Sequence, residues 1–233
     1  MHLFYTPEIE TKHELPPVEA AHCSRVLRLQ VGDAIALTDG KGTFYEAVIT
    51  VSSPKRVLFQ ITEEKQQAPL WSGHIHLAMA PTKNMDRNEW LAEKATEVGF
   101  DRLTFLKCRY SERKVIKNER IHKILVSAMK QSLKARLPIL DELTEFKHFV
   151  QQDFPGQKFI AHCYKGQERA ELKNLIDPKQ DCLLLVGPEG DFSEEEVALA
   201  LEYGFKPVVL GPSRLRTETA ALVGVVLMNT AHY

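Results

Sequence analysis

Leu183-Leu184-Leu185-Val186-Gly187-Pro188-Glu189-Gly190-Asp191-Phe192-Ser193 and Val208-Val209-Leu210-Gly211-Pro212-Ser213-Arg214-Leu215-Arg216-Thr217-Glu218-Thr219 follow one plan. Each starts with a short unbroken apolar run, turns at a glycine-proline pair and leads into a helical pattern. Apolar runs without alternation read as strands covered on both faces, the mark of a parallel sheet with helices above and below. In such sheets ligands bind at the carboxyl ends of the strands, where loops bring backbone amides and carbonyls close. Glycine lets the main chain approach a flat base or ribose, and proline holds the loop in one shape. The two loops are therefore either a ligand site or ordinary strand-to-helix turns.

Working outward, the second half alternates strands and helices as an α/β domain does. Strands are predicted at 75–80, 103–106, 158–161, 182–186 and 208–210. Ile121, Ile124, Leu125, Ala128 and Ser132 recur at helical spacing, with Arg120, Lys123, Lys130 and Lys134 largely on other faces. Ser193 and Glu196 form a capping box, Gly204 closes that helix, and a last helix is expected over 218–229. Up to about residue 68 the texture differs: short alternating segments around Asp39-Gly40, a strong hairpin signal, predict a small antiparallel barrel or sandwich. Gln66-Gln67-Ala68-Pro69 marks the boundary.

With 233 residues the chain supports one or two domains and buries a real core without staples. A net charge of −1 excludes a globally basic polyanion binder, yet it hides a separation. Between residues 102 and 136 eleven lysines and arginines face two acids, and between 141 and 203 fourteen acids face six bases. The basic stretch neutralises phosphates or is a solvated surface. Cys23, Cys108, Cys163 and Cys182 form no Cys-x-x-Cys pair, which reads as reduced, mostly packed thiols. His74 and His76 face one side of a strand, a surface pair rather than a metal site without further ligands. Neither a phosphate-binding glycine motif nor Gly-x-Ser-x-Gly occurs, so phosphate-cradling and serine-hydrolase chemistry lose support. No apolar run reaches the roughly 18 residues of a membrane span, and the start lacks a basic, apolar leader, so a cytoplasmic location is expected.

Gly187-Pro188-Glu189-Gly190, followed by Leu210-Gly211 and Leu215-Arg216-Thr217-Glu218-Thr219-Ala220, resembles the RsmE-type ribosomal RNA uridine-N3 methyltransferases of the SPOUT superfamily. The likeness runs through Lys83 to Gly99, Arg109 to Lys114, Met129-Lys130-Gln131-Ser132 and the opening His22-Cys23-Ser24-Arg25-Val26-Leu27-Arg28, and so covers nearly the whole chain. Two departures are visible. Asp191 stands where the family loop often has a second glycine, and the segment after Ser132 lacks a common glycine. Aspartate suits a helix N-terminus, so the loop is expected to survive the change.

The resemblance implies an α/β protein with an N-terminal PUA-like RNA-binding barrel over 1–68 and a SPOUT methyltransferase domain over 72–233, whose C-terminal segment threads a trefoil knot. It implies S-adenosyl-L-methionine as cofactor, no metal, a homodimer, and 16S ribosomal RNA or the assembled small subunit as substrate. Leu185, Val186, Gly187, Glu189 and Gly190 from the first loop, with Leu210, Gly211, Leu215, Arg216 and Thr217 from the second, are the expected cofactor contacts. Arg216 is the candidate cation for charge developing on the uridine carbonyls, and Glu218 is either a base or a group that orients Arg216. Arg25, Arg28, Arg109, Arg113, Lys114, Lys130 and Arg136 are the expected RNA contacts, and Tyr110 either stacks on a base or packs in the core. The competing readings are a noncatalytic RNA-binding or assembly factor and a SPOUT enzyme acting on tRNA.

Overall fold

The computed structural model describes residues 2–164 and 168–233. The chain divides into two compact units, the first comprising 1–69 with 126–137 and the second 70–125 with 138–233.

The first unit carries β1 (Leu3–Tyr5), α1 (Pro17–Ala21), β2 (Ala34–Thr38), β3 (Thr43–Ser52) and β4 (Val57–Gln66). The four strands form one sheet in sequence order, and β2, β3 and β4 pair antiparallel as alternation predicts. The outer pair β1–β2 is parallel, a correction to the wholly antiparallel expectation. A parallel neighbour requires a long crossover, which residues 6–33 supply through α1 and a π turn at His22–Val26. The Asp39-Gly40 hairpin forms as expected: Asp39 Oδ1 accepts from the backbone N–H of Lys41 and Thr43, and Gly40 takes a φ of 76°. Inward residues Phe4, Ile35, Leu37, Ile49 and Phe59 build the core. Residues 126–137 belong here because Gly42 N–H donates to Ala135 O, Thr38 Oγ1 donates to the same carbonyl, and Gln67 Oε1 accepts from Ala135 N–H.

The second unit is built on β5 (Ile75–Met79), α2 (Met85–Val98), β6 (Arg102–Lys107), α3 (Asn118–Gln131, which continues into the first unit), β7 (Ile139–Leu140), β8 (Thr144–Glu145), α4 (Phe146–Val150), β9 (Gln157–Ala161), β10 (Ala170–Glu171), β11 (Cys182–Val186), α5 (Glu194–Glu202), β12 (Lys206–Val209) and α6 (Thr217–His232). Its eight-stranded sheet runs β10-β12-β9-β11-β5-β6-β7, with β8 on β6, and every recorded pairing is parallel. All five residues of β5 and of β11 are buried, which is why neither strand alternates. The Ser193–Glu196 capping box starts α5, and Gly204 just past its end has a φ of 83°. Helix α6 packs on β5, β11 and α2. Gly224 makes that approach close, since a methyl group there would sit 2.1 Å from Leu184 Cδ2.

Two side chains lie differently from the sequence expectation, and the cysteines follow it. His76 is buried, not on a sheet surface: its Nε2 is 2.8 Å from Thr104 Oγ1, whose hydroxyl donates to Asp141, and Arg102 clamps Asp141 through two bonds of 2.8 Å. Lys134 is buried beyond the end of α3, where the helical face pattern no longer applies. Cys163 is exposed, whereas Cys23, Cys108 and Cys182 are buried.

Candidate functional site

Register decides where the two glycine loops go. Ala161 at the end of β9 pairs with Val186 of β11 on one side and with Val208 of β12 on the other. Three neighbouring strands therefore end level, and the loops that leave them surround one opening. A cavity of about 1060 Å³ lies there, at the upper end of ligand-site volumes and roomy enough for a nucleoside-sized cofactor beside a base. The first loop contributes Val186, Gly187, Pro188, Glu189 and Asp191, and the second contributes residues 210–217. Ala161 at the end of β9 and residues 162–164 after it line the cavity too, with Arg169 and with Arg87 of α2.

Local chemistry fixes both loops. A Cβ on Gly187 would lie 3.0 Å from the Phe192 backbone nitrogen, and Gly211 has a φ of 149°, so each position favours glycine for a separate reason. Glu189 Oε1 accepts from Lys83 N–H at 2.8 Å, bracing the first loop against the start of α2. Asp191 does not act as a helix-start residue; Ser193 holds that place. Instead Asp191 takes the left-handed conformation a glycine would adopt, with a φ of 68°. One carboxylate oxygen accepts from Phe192 N–H and the other from Cys163 N–H, both at 2.8 Å. The side chain thus ties the first loop to the turn after β9. Tyr164 Oη donates to Phe192 O at 2.6 Å, a second tie between the same segments.

The charged groups separate into open and closed. Arg216, at the N-cap of α6, is exposed and lines the cavity. Glu218 is 6% exposed and pairs with Arg87, Nε to Oε1 at 3.5 Å, rather than with Arg216. Its position in the first turn of α6 favours a carboxylate there. His162 is 4% exposed. Burial, then the Arg169 charge, push its pKa below the ordinary histidine value against the opposing pull of Asp191. Tyr164 N–H donates to His162 Nδ1 at 3.3 Å, which leaves the proton on Nε2.

Among the expected cofactor contacts, Val186, Gly187, Glu189, Leu210, Gly211, Leu215, Arg216 and Thr217 line the cavity. Leu185 lies one residue back, buried in β11, and Gly190 faces Tyr110, whose Cβ would be 3.2 Å from a Cβ there. Tyr110 is 48% exposed and is no core residue. Among the expected RNA contacts, Arg25, Arg28 and Arg136 are exposed in the first unit, and Arg109 and Lys114 in the second. Arg28 takes a left-handed φ of 56° two residues past the π turn. Arg113 and Lys130 have partners inside the protein. Arg113 Nε donates to the carbonyls of Thr82 and Lys83, each at 3.1 Å, and Lys130 pairs with the buried Glu19. Sequence reasoning missed His162, Arg169 and Arg87, because nothing in the spacing says that β9 lies between the two glycine-bearing strands. Among the described residues, no group of three or more potential ligands is placed to hold a metal.

This geometry has close relatives. Across 100% of this chain and 98% of the other, the fold matches the crystal structure of a "probable rRNA-methyltransferase" from Porphyromonas gingivalis, at a TM-score of 0.94 and 41% identity. A ribosomal RNA small subunit methyltransferase E from Neisseria gonorrhoeae, crystallised bound to S-adenosyl methionine, matches at a TM-score of 0.84 and 27% identity over 99% of this chain and 97% of that one. The ribosomal RNA small subunit methyltransferase E of Synechocystis is 30% identical over 97% of this chain and 76% of its own length. Residues 19–62 match the family model of an RNA methyltransferase PUA domain. Since residues 69–229 match the model of the RNA methyltransferase domain, and that match spans the strands, the loops and the cavity just described, the chain belongs to the RNA methyltransferase family.

Proposed function

We propose that this protein transfers a methyl group from S-adenosyl-L-methionine to N3 of a uridine in 16S ribosomal RNA of the small ribosomal subunit. The observation that carries the reading is the single cavity formed where both glycine-proline loops meet over level strand ends, in a chain whose Neisseria relative binds that cofactor. The walls fit it: Gly211, with nothing within 4 Å of where a Cβ would stand, leaves backbone open for a planar base, and Val186, Leu210 and Leu215 offer apolar faces. Glu189 and Thr217 add polar edges. When bound, the cofactor supplies an electrophilic methyl group on a sulfonium, so the protein's work is orientation and electrostatics.

Uridine N3 carries a proton, and its loss leaves negative charge on the flanking carbonyl oxygens. Arg216, exposed at the cavity wall and set at the positive end of α6, is placed to stabilise that charge. Glu218 acts as the fixed counter-ion of Arg87 and holds that guanidinium at the cavity edge. The target base leaves its stack to enter, and phosphates are held by Arg25, Arg28 and Arg136 in the first unit and by Arg109 and Lys114 in the second.

We also assign a homodimer and a C-terminal trefoil knot. The dimer rests on α6, apolar almost all round with Val226 39% exposed, and on the 42% exposed Trp90 of the neighbouring α2. The knot rests on the chain path: after β12, one strand from the sheet edge, residues 210–216 precede a helix that returns to β11 and β5 in the middle of the sheet. We infer a cytoplasmic location from the ribosomal RNA substrate proposed above. Nucleoside mass spectrometry of 16S RNA from cells with and without this protein tests the reaction. Loss of 3-methyluridine in the deletion is the expected result, and an unchanged nucleoside profile refutes it.

A further inference from the structure

His162 Nε2 is a buried hydrogen-bond donor without a protein partner among the described residues. Buried polar groups are almost always paired, and one left open costs about the strength of a hydrogen bond. This one lines the cavity immediately after β9, between the strands that feed the two glycine loops. Its ring is held: Nδ1 accepts from Tyr164 N–H, the Arg169 guanidinium donates to the His162 carbonyl, and the ring of Tyr164 stands 5.8 Å away. Ala161, registered with Val186 on one side and Val208 on the other, gives the adjoining cavity wall an apolar lining.

We propose that His162 Nε2–H donates a hydrogen bond to an acceptor on the adenosyl half of the methyl donor, a ribose oxygen or a ring nitrogen. The inference rests on the cofactor reading above. A neutral imidazole beside that apolar lining matches an uncharged acceptor. The carboxylate of the amino-acid half is better matched by a guanidinium such as Arg169 or Arg214 on the same cavity wall. The adenosyl group would thus give the unpaired donor its partner.

The test is calorimetric titration of S-adenosylhomocysteine and of 5′-methylthioadenosine, which keeps the adenosyl half and lacks the amino-acid half. His162→Phe keeps a planar ring without the donor, and His162→Gln keeps a donor. The expected result is a loss of roughly tenfold in affinity for both ligands in His162→Phe, part of it regained in His162→Gln. The thermal midpoint of unliganded His162→Phe should stay close to that of the wild type, because the loss of the long Tyr164 N–H bond to Nδ1 is offset by the removal of an unpaired buried donor. A structural role predicts the opposite, a lower midpoint with intact affinity. Equal affinity of His162→Phe and wild type overturns the proposal, as does a loss confined to S-adenosylhomocysteine. In wild-type protein labelled with 15N-histidine, the His162 Nε2 resonance should move on saturation with either ligand, and a stationary resonance refutes the contact without any substitution. Failure of the wild type to bind either ligand refutes the methyltransferase reading itself.

Discussion

Asp191 offers the sharpest test of how the site is held, because its two duties predict an unusual order of substitutions. Its backbone is left-handed at a φ of 68°, and its carboxylate accepts from the N–H groups of Phe192 and Cys163. A hydrogen bond to a charged acceptor contributes about 1.5–3 kcal/mol, and partial exposure reduces each of these to about 1 kcal/mol. Asp191→Ala removes both bonds and keeps a Cβ in a conformation that costs an ordinary residue roughly 1–2 kcal/mol, so it should lose about 2–3 kcal/mol. Asp191→Gly removes the same bonds but relieves the backbone, so its loss should be about 1 kcal/mol smaller. Asp191→Asn keeps one carbonyl acceptor and tolerates the left-handed region, and should fall nearest the wild type. Guanidinium denaturation measures the order, and at this chain length each kcal/mol also moves the thermal midpoint by about 2–4 °C. S-adenosylhomocysteine affinity should fall in the same order, since the lost tie frees the turn that carries His162. Alanine as stable as glycine would show that the left-handed backbone costs nothing, and glycine as stable as the wild type would show that the carboxylate bonds contribute nothing; either result overturns the account of the loop.

Other expectations follow from the same geometry. Burial, then the Arg102 charge, hold His76 at a pKa of about 3 against the pull of Asp141, so the folded state refuses a proton that the unfolded chain takes below about pH 6.5. Stability should therefore fall with acidification by about 1.4 kcal/mol per pH unit from about 6.5 toward 3 for this group, and denaturation of His76→Gln should show a flatter slope between pH 6.5 and 4.5. Asp141 adds to the loss at lower pH: burial opposes its charge, but the Arg102 and Thr104 bonds outweigh that and keep its pKa below the usual value. Gly224→Ala gains up to about 1 kcal/mol of helix propensity yet drives a methyl into fully buried Leu184; a net loss of about 1–2 kcal/mol by denaturation is expected, and a stabilised variant would contradict the close approach. Arg216→Ala should bind S-adenosylhomocysteine as the wild type does while methyl transfer drops about a hundredfold or more; unchanged turnover removes Arg216 from the reaction. Glu218→Gln should lower transfer only partly, because it removes the charge that holds Arg87 and no group that touches the base; a loss as large as that of Arg216→Ala would contradict the counter-ion role.

Most of the sheet was legible because a strand buried on both faces leaves an unmistakable apolar run, and β11 spans the predicted 182–186. The capping box and the apolar length of α6 were legible for the same reason: each is a local rule. Pairing is not local. The parallel entry of β1 depends on a crossover, and the position of β9 between β11 and β12 depends on strand order, neither of which a short window reports. That is why the two glycine loops could be read as a site while His162, which stands between them, could not. Charge was the least reliable guide. Lys130 and Arg113 sit in the basic stretch, yet one meets Glu19 from 111 positions away and the other meets backbone carbonyls. Composition counts a cation but not its partner. Asp191 shows the reverse case, a departure from the family pattern whose backbone does what the replaced glycine would do.

The return of residues 126–137 to the first unit has a consequence for synthesis. Ala135 gives its carbonyl to Gly42 and Thr38 and its N–H to Gln67, so those groups wait for a stretch made much later. A nascent chain of 69 residues already holds every strand of the small sheet but not its closing contacts. By the time residue 137 has emerged, β5, α2, β6 and α3 have all been translated. The amino-terminal part therefore matures after a large portion of its successor exists, and a fragment cut at Pro69 should expose Thr38 and the Gly40 turn, fail to reach native stability alone, and recover only when the missing dozen residues are supplied.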